Sequence, residues 1–299
     1  MKNNILVTGG TGFLGNNLLR YLLDKYSRKQ IINYSKHTYV DNPLSIEPLI
    51  KQSNFVSIKG DINDKLLFKE TLEKNKVGLI YHIAASTHVD RSFVYPEEFL
   101  SANVMGTFSI LESIRRVKGK KPLLIYMGTD EVFGDVAEGY CREDELRAPR
   151  NPYSASKAAA EMFCLAYHHS FNLPIIIPRS MNMYGPYQHP EKLIGKIITR
   201  CLTEKHFTLY EGGSVRGWTF VKDTCDALNT VSDKGNIGEI YHIPPNTYKT
   251  VPEVAQTILQ LMKKEYLFDG YKGQRLKDDE RYALDGNKFT YNLCFFIIS

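Results

Sequence analysis

The sequence predicts an α/β protein: a doubly wound parallel sheet followed by a smaller C-terminal part. Short apolar runs alternate with amphipathic stretches up to about residue 180, a glycine-rich turn directly follows the first run, and the alternation loosens into Gly/Pro-rich segments beyond Tyr184. At 299 residues the chain exceeds the usual single-domain range of about 100–200. Residues 1–184 are therefore expected to form the sheet domain and 185–299 a smaller part, with some chain crossing back to the sheet.

Taken in order, strands are expected at Ile5–Val7, Ile31–Ile32, Phe55–Ile58, Leu79–Ala84, Leu123–Met127 and Ile175–Ile177. Helices are expected near Leu14–Leu23, Lys65–Lys74, Phe99–Arg116 and Ser154–His169, where apolar residues recur at helical spacing. Strand, helix, strand, repeated, implies right-handed crossovers between parallel strands. In the C-terminal part the same spacing predicts helices near Leu193–Leu202 and Pro252–Lys264.

Apolar residues make up 43% of the chain and charged residues 24%, ordinary usage that argues against a disordered, fibrous or membrane protein. Met1–Asn4 runs straight into the first strand without a charged-then-apolar leader, and no apolar run reaches the roughly 18 residues of a membrane helix. Cys141, Cys164, Cys201, Cys225 and Cys294 are odd in number and lack C-x-x-C spacing, which predicts reduced thiols, no metal site and a cytoplasmic location. The densest basic cluster, Arg115–Lys121, has no interleaved aromatics and reads as a solvated helix end, so nucleic acid is not expected as a partner.

Thr8-Gly9-Gly10-Thr11-Gly12-Phe13-Leu14-Gly15 carries glycines at G-x-x-G-x-x-G spacing between a strand and a helix. That arrangement lets backbone approach a pyrophosphate and aims helix N-terminal N–H groups at its charge, so residues 1–184 are read as a dinucleotide-binding Rossmann domain. The second strand ends Asn33-Tyr34-Ser35-Lys36-His37, without the acid that normally bonds the adenosine ribose of NAD. Ser35 can still hydrogen-bond there, while Lys36 and His37 can tolerate a 2′-phosphate, which leaves NADP open. Asp61-Ile62 is positioned either to contact adenine or simply to turn the chain.

Tyr153 and Lys157 form Y-x-x-x-K at a helix start, a four-residue step that sets both on one face. The ammonium is expected to lower the phenol's pKa, making it a general base. With the glycine loop, this pair resembles the extended branch of the short-chain dehydrogenase/reductase superfamily. The strand Leu123–Met127 is followed by Gly128-Thr129-Asp130-Glu131, two carboxylates beside a hydroxyl, which offers an acid and a base at one site if their surroundings push their pKa values apart.

These motifs, together with His82–Ser92, Asn151–Ala158, Tyr184-Gly185-Pro186-Tyr187 and Pro190-Glu191-Lys192-Leu193-Ile194, resemble the nucleoside-diphosphate-glucose 4,6-dehydratase family. In that family the dTDP-glucose enzymes are the favoured match, and the UDP-glucose enzymes, which open rhamnose synthesis, share the motifs. The resemblance implies NAD as cofactor and a three-stage reaction. Tyr153 takes the 4-hydroxyl proton as hydride leaves C4, with Thr129 at that oxygen; Glu131 removes the C5 proton while Asp130 protonates the departing 6-hydroxyl; hydride then returns to C6.

The implied cofactor contacts are Gly9, Gly12, Phe13, Leu14, Gly15, Ser35, Asp61, Ile62, Ala84 and Ala85, besides Tyr153 and Lys157. The implied substrate contacts are Thr87, Asn182, Lys192, Leu193, Arg216, Asn246 and Arg275. Relatives commonly pair as homodimers through a four-helix interface, which the helices near Phe99–Arg116 and Ser154–His169 can supply. Trp218 is assigned to the core rather than the site. The chain departs from the family pattern at Ser35, Ala102, Gly128, Phe133, Met183 and Asp278, and at its C-terminal segment, Asn292–Ser299. Competing readings are a 4-epimerase or decarboxylase of the same superfamily, which has no use for Asp130-Glu131, and a non-catalytic dinucleotide-binding protein.

Overall fold

Ile5 and Val7 face one side of the first strand and Leu6 the other, and both sides are fully buried. This is the signature of a parallel sheet covered on both faces. A computed structural model of the chain describes residues 4–36, 38, 42–274 and 280–295. Its strands are β1 (Asn4–Thr8), β2 (Ile31–Ser35), β3 (Phe55–Lys59), β4 (Val77–His82), β5 (Leu123–Tyr126), β6 (Gly128–Thr129), β7 (Ile175–Ser180), β8 (Asn182–Tyr184), β9 (Phe207–Glu211), β10 (Val215–Phe220), β11 (Ile240–His242), β12 (Thr247–Thr250) and β13 (Phe268–Gln274). Helices are α1 (Phe13–Lys25), α2 (Glu47–Ile50), α3 (Lys65–Lys74), α4 (Val89–Val94), α5 (Pro96–Phe99), α6 (Gly106–Arg116), α7 (Pro152–Phe171), α8 (Leu193–Leu202), α9 (Val221–Lys234), α10 (Val251–Met262) and α11 (Asn287–Leu293).

The central sheet runs β11-β7-β5-β4-β1-β2-β3, every pair parallel, with β6 continuing alongside β7. All six strands expected from the sequence are present. The strand order reverses between β1 and β4, and the C-terminal ends of those strands open the crevice where α/β sheets bind ligands. Leu18, Leu22, Ile31, Ile125, Leu228 and Phe289 fill one face, under α1, α9 and α11. Leu6, Phe68, Ile80, Ile110, Leu124 and Cys164 fill the other, under α3, α6 and α7.

From residue 182 onward the chain builds a three-stranded sheet, β12-β10-β8, and the pair β13-β9. Ile197, Cys201, Phe207, Leu209, Ala255, Leu259 and Leu267 give the C-terminal part its own small apolar core. α10 starts on a capping box in which Thr250 and Glu253 satisfy each other's backbone N–H groups. Between these elements the chain returns to the main sheet, with α9 against α1 and β11 on the outer edge of β7. No helix among the described residues is long and apolar enough to cross a membrane.

The helix expected at 99–116 is continuous but wound in two ways, with Leu100–Met105 forming a π segment before α6. That wider turn sets Asn103 against the loop after β4, where its amide accepts from Ser86 N and donates to Ser86 O and Ser156 Oγ. Phe296–Ser299 lie outside the described residues, whereas Phe295 packs edge-on against Phe289.

Candidate active site

A cleft of about 990 Å³ runs along the C-terminal ends of β1, β4 and β5 and on between β8, β10 and α8. At its base, Gly9 has a left-handed φ of +71°, and a Cβ there would lie 2.8 Å from Ala84 Cα. A Cβ on Gly15 would collide with the Gly9 carbonyl oxygen, so helix, loop and the β4 end close together only through bare backbone. α1 begins at Gly12 with no side-chain cap, and Gly12, Phe13, Leu14 and Gly15 line the cleft. Such a cradle, with the positive end of a helix at its mouth, fits a dinucleotide's pyrophosphate.

The floor is braced by a polar chain. Ile83 N and Ala84 N both donate to Thr8 Oγ1, so that hydroxyl in turn donates to His82 Nδ1 at 2.9 Å. Thr107 donates to Asn103 O and so accepts from His82 Nε2–H at 3.1 Å. His82 is thus neutral with its proton on Nε2, and burial followed by the charge of Lys157 lowers its pKa to about 3.

Thr129, Asp130 and Glu131 leave the end of β6 directly into the cleft. Thr129 Oγ1 donates to Asp130 Oδ1 at 3.1 Å and accepts from Glu131 N at 3.3 Å. Burial, then the Glu131 charge beside it, raises Asp130 to about 7, so near neutral pH it holds a proton that it can give up. Glu131 is also raised by burial, but Ser154 Oγ donates to its Oε2 at 3.0 Å and Asn151 adds a second hydrogen bond, both opposing the rise. Arg216 and Lys192 favour its ionised form as well. The two neighbouring carboxyls therefore have unlike surroundings, which suits one as acid and the other as base.

α7 brings Tyr153 and Lys157 to the same wall. Asn151 caps this helix by accepting from Ser154 N at 2.8 Å, with Pro152 at its first position. The expected lowering of the Tyr153 pKa is not what the structure has. Burial, then Glu131, with Asp130 adding, pushes the phenol above its ordinary value, and a hydrogen bond with Thr129 offsets only part of this. Lys157 instead donates to Met127 O at 2.6 Å and lies over the Tyr126 ring, and burial lowers its own pKa to about 8. Four-residue spacing shares a face; it does not say which acceptor the ammonium finds.

Behind this wall, Arg179 on β7 is fully buried and donates through Nε to Glu161 Oε2 at 3.0 Å. Arg147 donates to the other oxygen of Glu161 at 2.7 Å, and Arg179 NH1 donates to His242 Nε2 at 2.9 Å. The guanidinium also stacks 4.7 Å from the Phe133 ring centroid. A Cβ on Gly128 would lie 2.8 Å from Arg179 Cγ. Gly128 and Phe133, both departures from the family pattern, thus flank the acidic pair and pack on one arginine. Glu161→Ala would leave Arg179 buried with its main counter-charge gone and is expected to cost about 3–5 kcal/mol, read as a lower urea midpoint at unchanged slope.

A model of the GDP-mannose 4,6 dehydratase family matches residues 6–290. The low-salt glycan biosynthesis protein of Haloferax volcanii is 36% identical over 286 residues, covering 95% of this chain and 91% of that one. The dTDP-glucose 4,6-dehydratase of Xanthomonas campestris pv. campestris is 36% identical over 307 residues, covering 96% and 87%. The dTDP-glucose 4,6-dehydratase of Streptomyces venezuelae, crystallised with NAD bound, superposes with a TM-score of 0.94 at 34% identity, covering 99% and 92%. The chain belongs to the dTDP-glucose 4,6-dehydratase family.

As a member of that family, it gathers most of the residues singled out from sequence into this one cleft. Gly9, Gly12, Phe13, Leu14, Gly15, Ser35, Asp61, Ile62, Ala84 and Ala85 line its inner part, and Thr129, Asp130, Glu131, Tyr153 and Lys157 its middle. Thr87, Asn182, Lys192, Leu193 and Arg216 line its outer part, where Lys192 Nζ donates to Thr87 O and Arg216 stacks on Tyr282. Trp218 is both buried and cleft-lining, not core alone. Asn246 is not among the lining residues; its amide accepts from Phe220 N and donates to Asp223. Arg275, Asp278 and His37 lie outside the described residues. Asn151 and Ser154 belong to a motif that carries the resemblance but were assigned no site role, although the Asn-Pro dipeptide before a helix carries the capping signal.

Proposed function

We propose that this chain is an NAD-dependent dTDP-glucose 4,6-dehydratase, a hydro-lyase converting the sugar nucleotide to its 4-keto-6-deoxy form and water, with UDP-glucose as a second candidate substrate. The observation that carries this reading is an acid poised near pH 7, Asp130, next to the base Glu131, which Ser154, Asn151, Arg216 and Lys192 favour in its ionised form, facing Tyr153 in the dinucleotide cleft. Neither a 4-epimerase nor a decarboxylase has work for that pair. When bound, NAD supplies the hydride store for this chemistry, accepting from C4 and returning to C6.

The chain's own residues handle the protons. Tyr153, ionised once its own phenolic proton has passed to solvent, takes the 4-hydroxyl proton, and Thr129 hydrogen-bonds at that oxygen. A neutral Asp130 removes one of the two negative charges that hold the phenolic proton in place. The 4-ketone acidifies C5–H, Glu131 takes that proton, and Asp130 gives its own to the departing C6 oxygen, which leaves as water; Glu131 then gives its proton back to C5 as C6 is reduced, and Asp130 is reprotonated from solvent. The glycine loop and Asp61, Ile62, Ala84 and Ala85 hold the dinucleotide. Thr87, Asn182, Lys192, Leu193 and Arg216 hold the sugar nucleotide, the arginine and lysine suiting its diphosphate. Residues 1–184 thus supply cofactor and catalysis, and 185–299 most of the substrate grip.

Incubation with dTDP-glucose or UDP-glucose should yield a product lighter by one water; an epimer of unchanged mass would overturn the assignment. Because Asp130 acts as the acid, turnover should fall as pH rises through about 7. In Asp130→Asn that limb should vanish along with most of the rate, as a pH series of kcat will show. We further place the enzyme in the cytoplasm, in deoxysugar synthesis of the rhamnose type. A homodimer pairing the surfaces of α7 and of α6 with its preceding π segment, where Met105, Met162, Phe163 and Phe171 are exposed, completes the proposal.

A further inference from the structure

We infer that the adenosine subsite of this chain accepts a 2′-phosphate, so that NADP binds alongside NAD, with Lys36 as the phosphate's partner; this rests on the dinucleotide reading above. The inference starts at the end of β2, where an acid would normally reject the phosphate while bonding the ribose. Ser35 stands there instead, 3% exposed, its hydroxyl donating to Asn33 Oδ1 at 2.7 Å and accepting from Thr11 N at 3.4 Å. Asn33 Oδ1 also accepts from Gly10 N at 3.1 Å, and Asn33 Nδ2 donates to Ser57 Oγ at 3.0 Å. The strand end is therefore a neutral brace for the glycine loop, with no charge to repel an anion.

The charges nearby point the same way. Tyr34, Ser35, Lys36, Thr38, Gly60 and Asp61 line this end of the cleft. Their one carboxylate, Asp61, is ion-paired with Lys36 at 2.6 Å. Among the described residues lining this end, the charges of Lys36 and Asp61 offset each other, where an acid at position 35 would leave them net negative. Lys36 is also free to change partners: its side chain is 63% exposed, and it ends in a compact ammonium on a flexible stem. Asp61 would not be stranded by the exchange, because Asn63 N and Asn63 Nδ2 donate to its Oδ1 at 2.9 and 3.2 Å.

The test is calorimetric titration of the full chain, freed of any bound dinucleotide, with NAD and with NADP. The two dissociation constants should agree within about tenfold. Lys36→Glu should widen the ratio against NADP at least about tenfold, and Ser35→Asp about 100-fold, since a like charge at such a contact is strongly repulsive. Should Ser35→Asp fail to fold beside Asn33 Oδ1, Lys36→Glu, on an exposed side chain, still decides. A wild-type ratio beyond about 100-fold, or a ratio that Lys36→Glu leaves unmoved, overturns the inference while the NAD reading stands. Failure to bind either dinucleotide overturns both.

Discussion

Glu131→Gln is expected to lower turnover by about 100- to 10,000-fold while dinucleotide reduction on substrate continues. Glutamine keeps the shape of the side chain, and its carbonyl oxygen can still accept from Ser154 Oγ, which now donates at 3.0 Å. What disappears is the capacity to take the C5 proton. The reaction should therefore stop after oxidation at C4, with absorbance of reduced nicotinamide growing on mixing and no loss of water from the sugar. Wild-type turnover in this variant would take Glu131 out of the mechanism.

Tyr153→Phe is expected to produce a loss of similar size, about 1,000-fold or more, but with no reduced nicotinamide at all. Phenylalanine fills the same space and keeps the edge contact with Phe99 at 6.3 Å, so folding should be unaffected. Without the phenolic oxygen the 4-hydroxyl proton has no acceptor, and the first stage never begins. Single-turnover absorbance distinguishes the two variants directly: signal without product for Glu131→Gln, silence for Tyr153→Phe. Retained hydride transfer in Tyr153→Phe would refute its role as base.

The six sheet strands and the cofactor loop were legible because local pattern encodes them: apolar runs of strand length, a glycine turn and amphipathic helices. α9 was not legible. Its buried face includes Thr224, Cys225 and Asn229 among Val221, Leu228 and Val231, which dilutes the helical period. β11 is three residues long and acquires its identity only by pairing with β7. Within the site, the residues that gather at the cleft could be read wherever motif and chemistry coincide, as at Thr129-Asp130-Glu131. Partners could not. Lys157 bonds a carbonyl 30 residues earlier, Lys36 reaches Asp61 across a strand end, and Arg179 meets Glu161 only because α7 folds back on β7. Such pairings are set by tertiary packing, which no local window contains.

The late return of β11 to β7 also governs how this protein can be made. Ile240 docks beside Ile177, and His242 delivers the acceptor for Arg179. A chain emerging from the ribosome carries an open β7 edge, and an arginine already paired with Glu161 but without its His242 contact, until residue 242 is synthesised. Non-local closure of this kind is slow, and open strand edges invite association between unfinished chains. A fragment ending at residue 184, although it holds every group assigned to proton transfer, would keep that exposed edge permanently. The minimal self-sufficient unit is set by strand closure, not by where the reacting groups end.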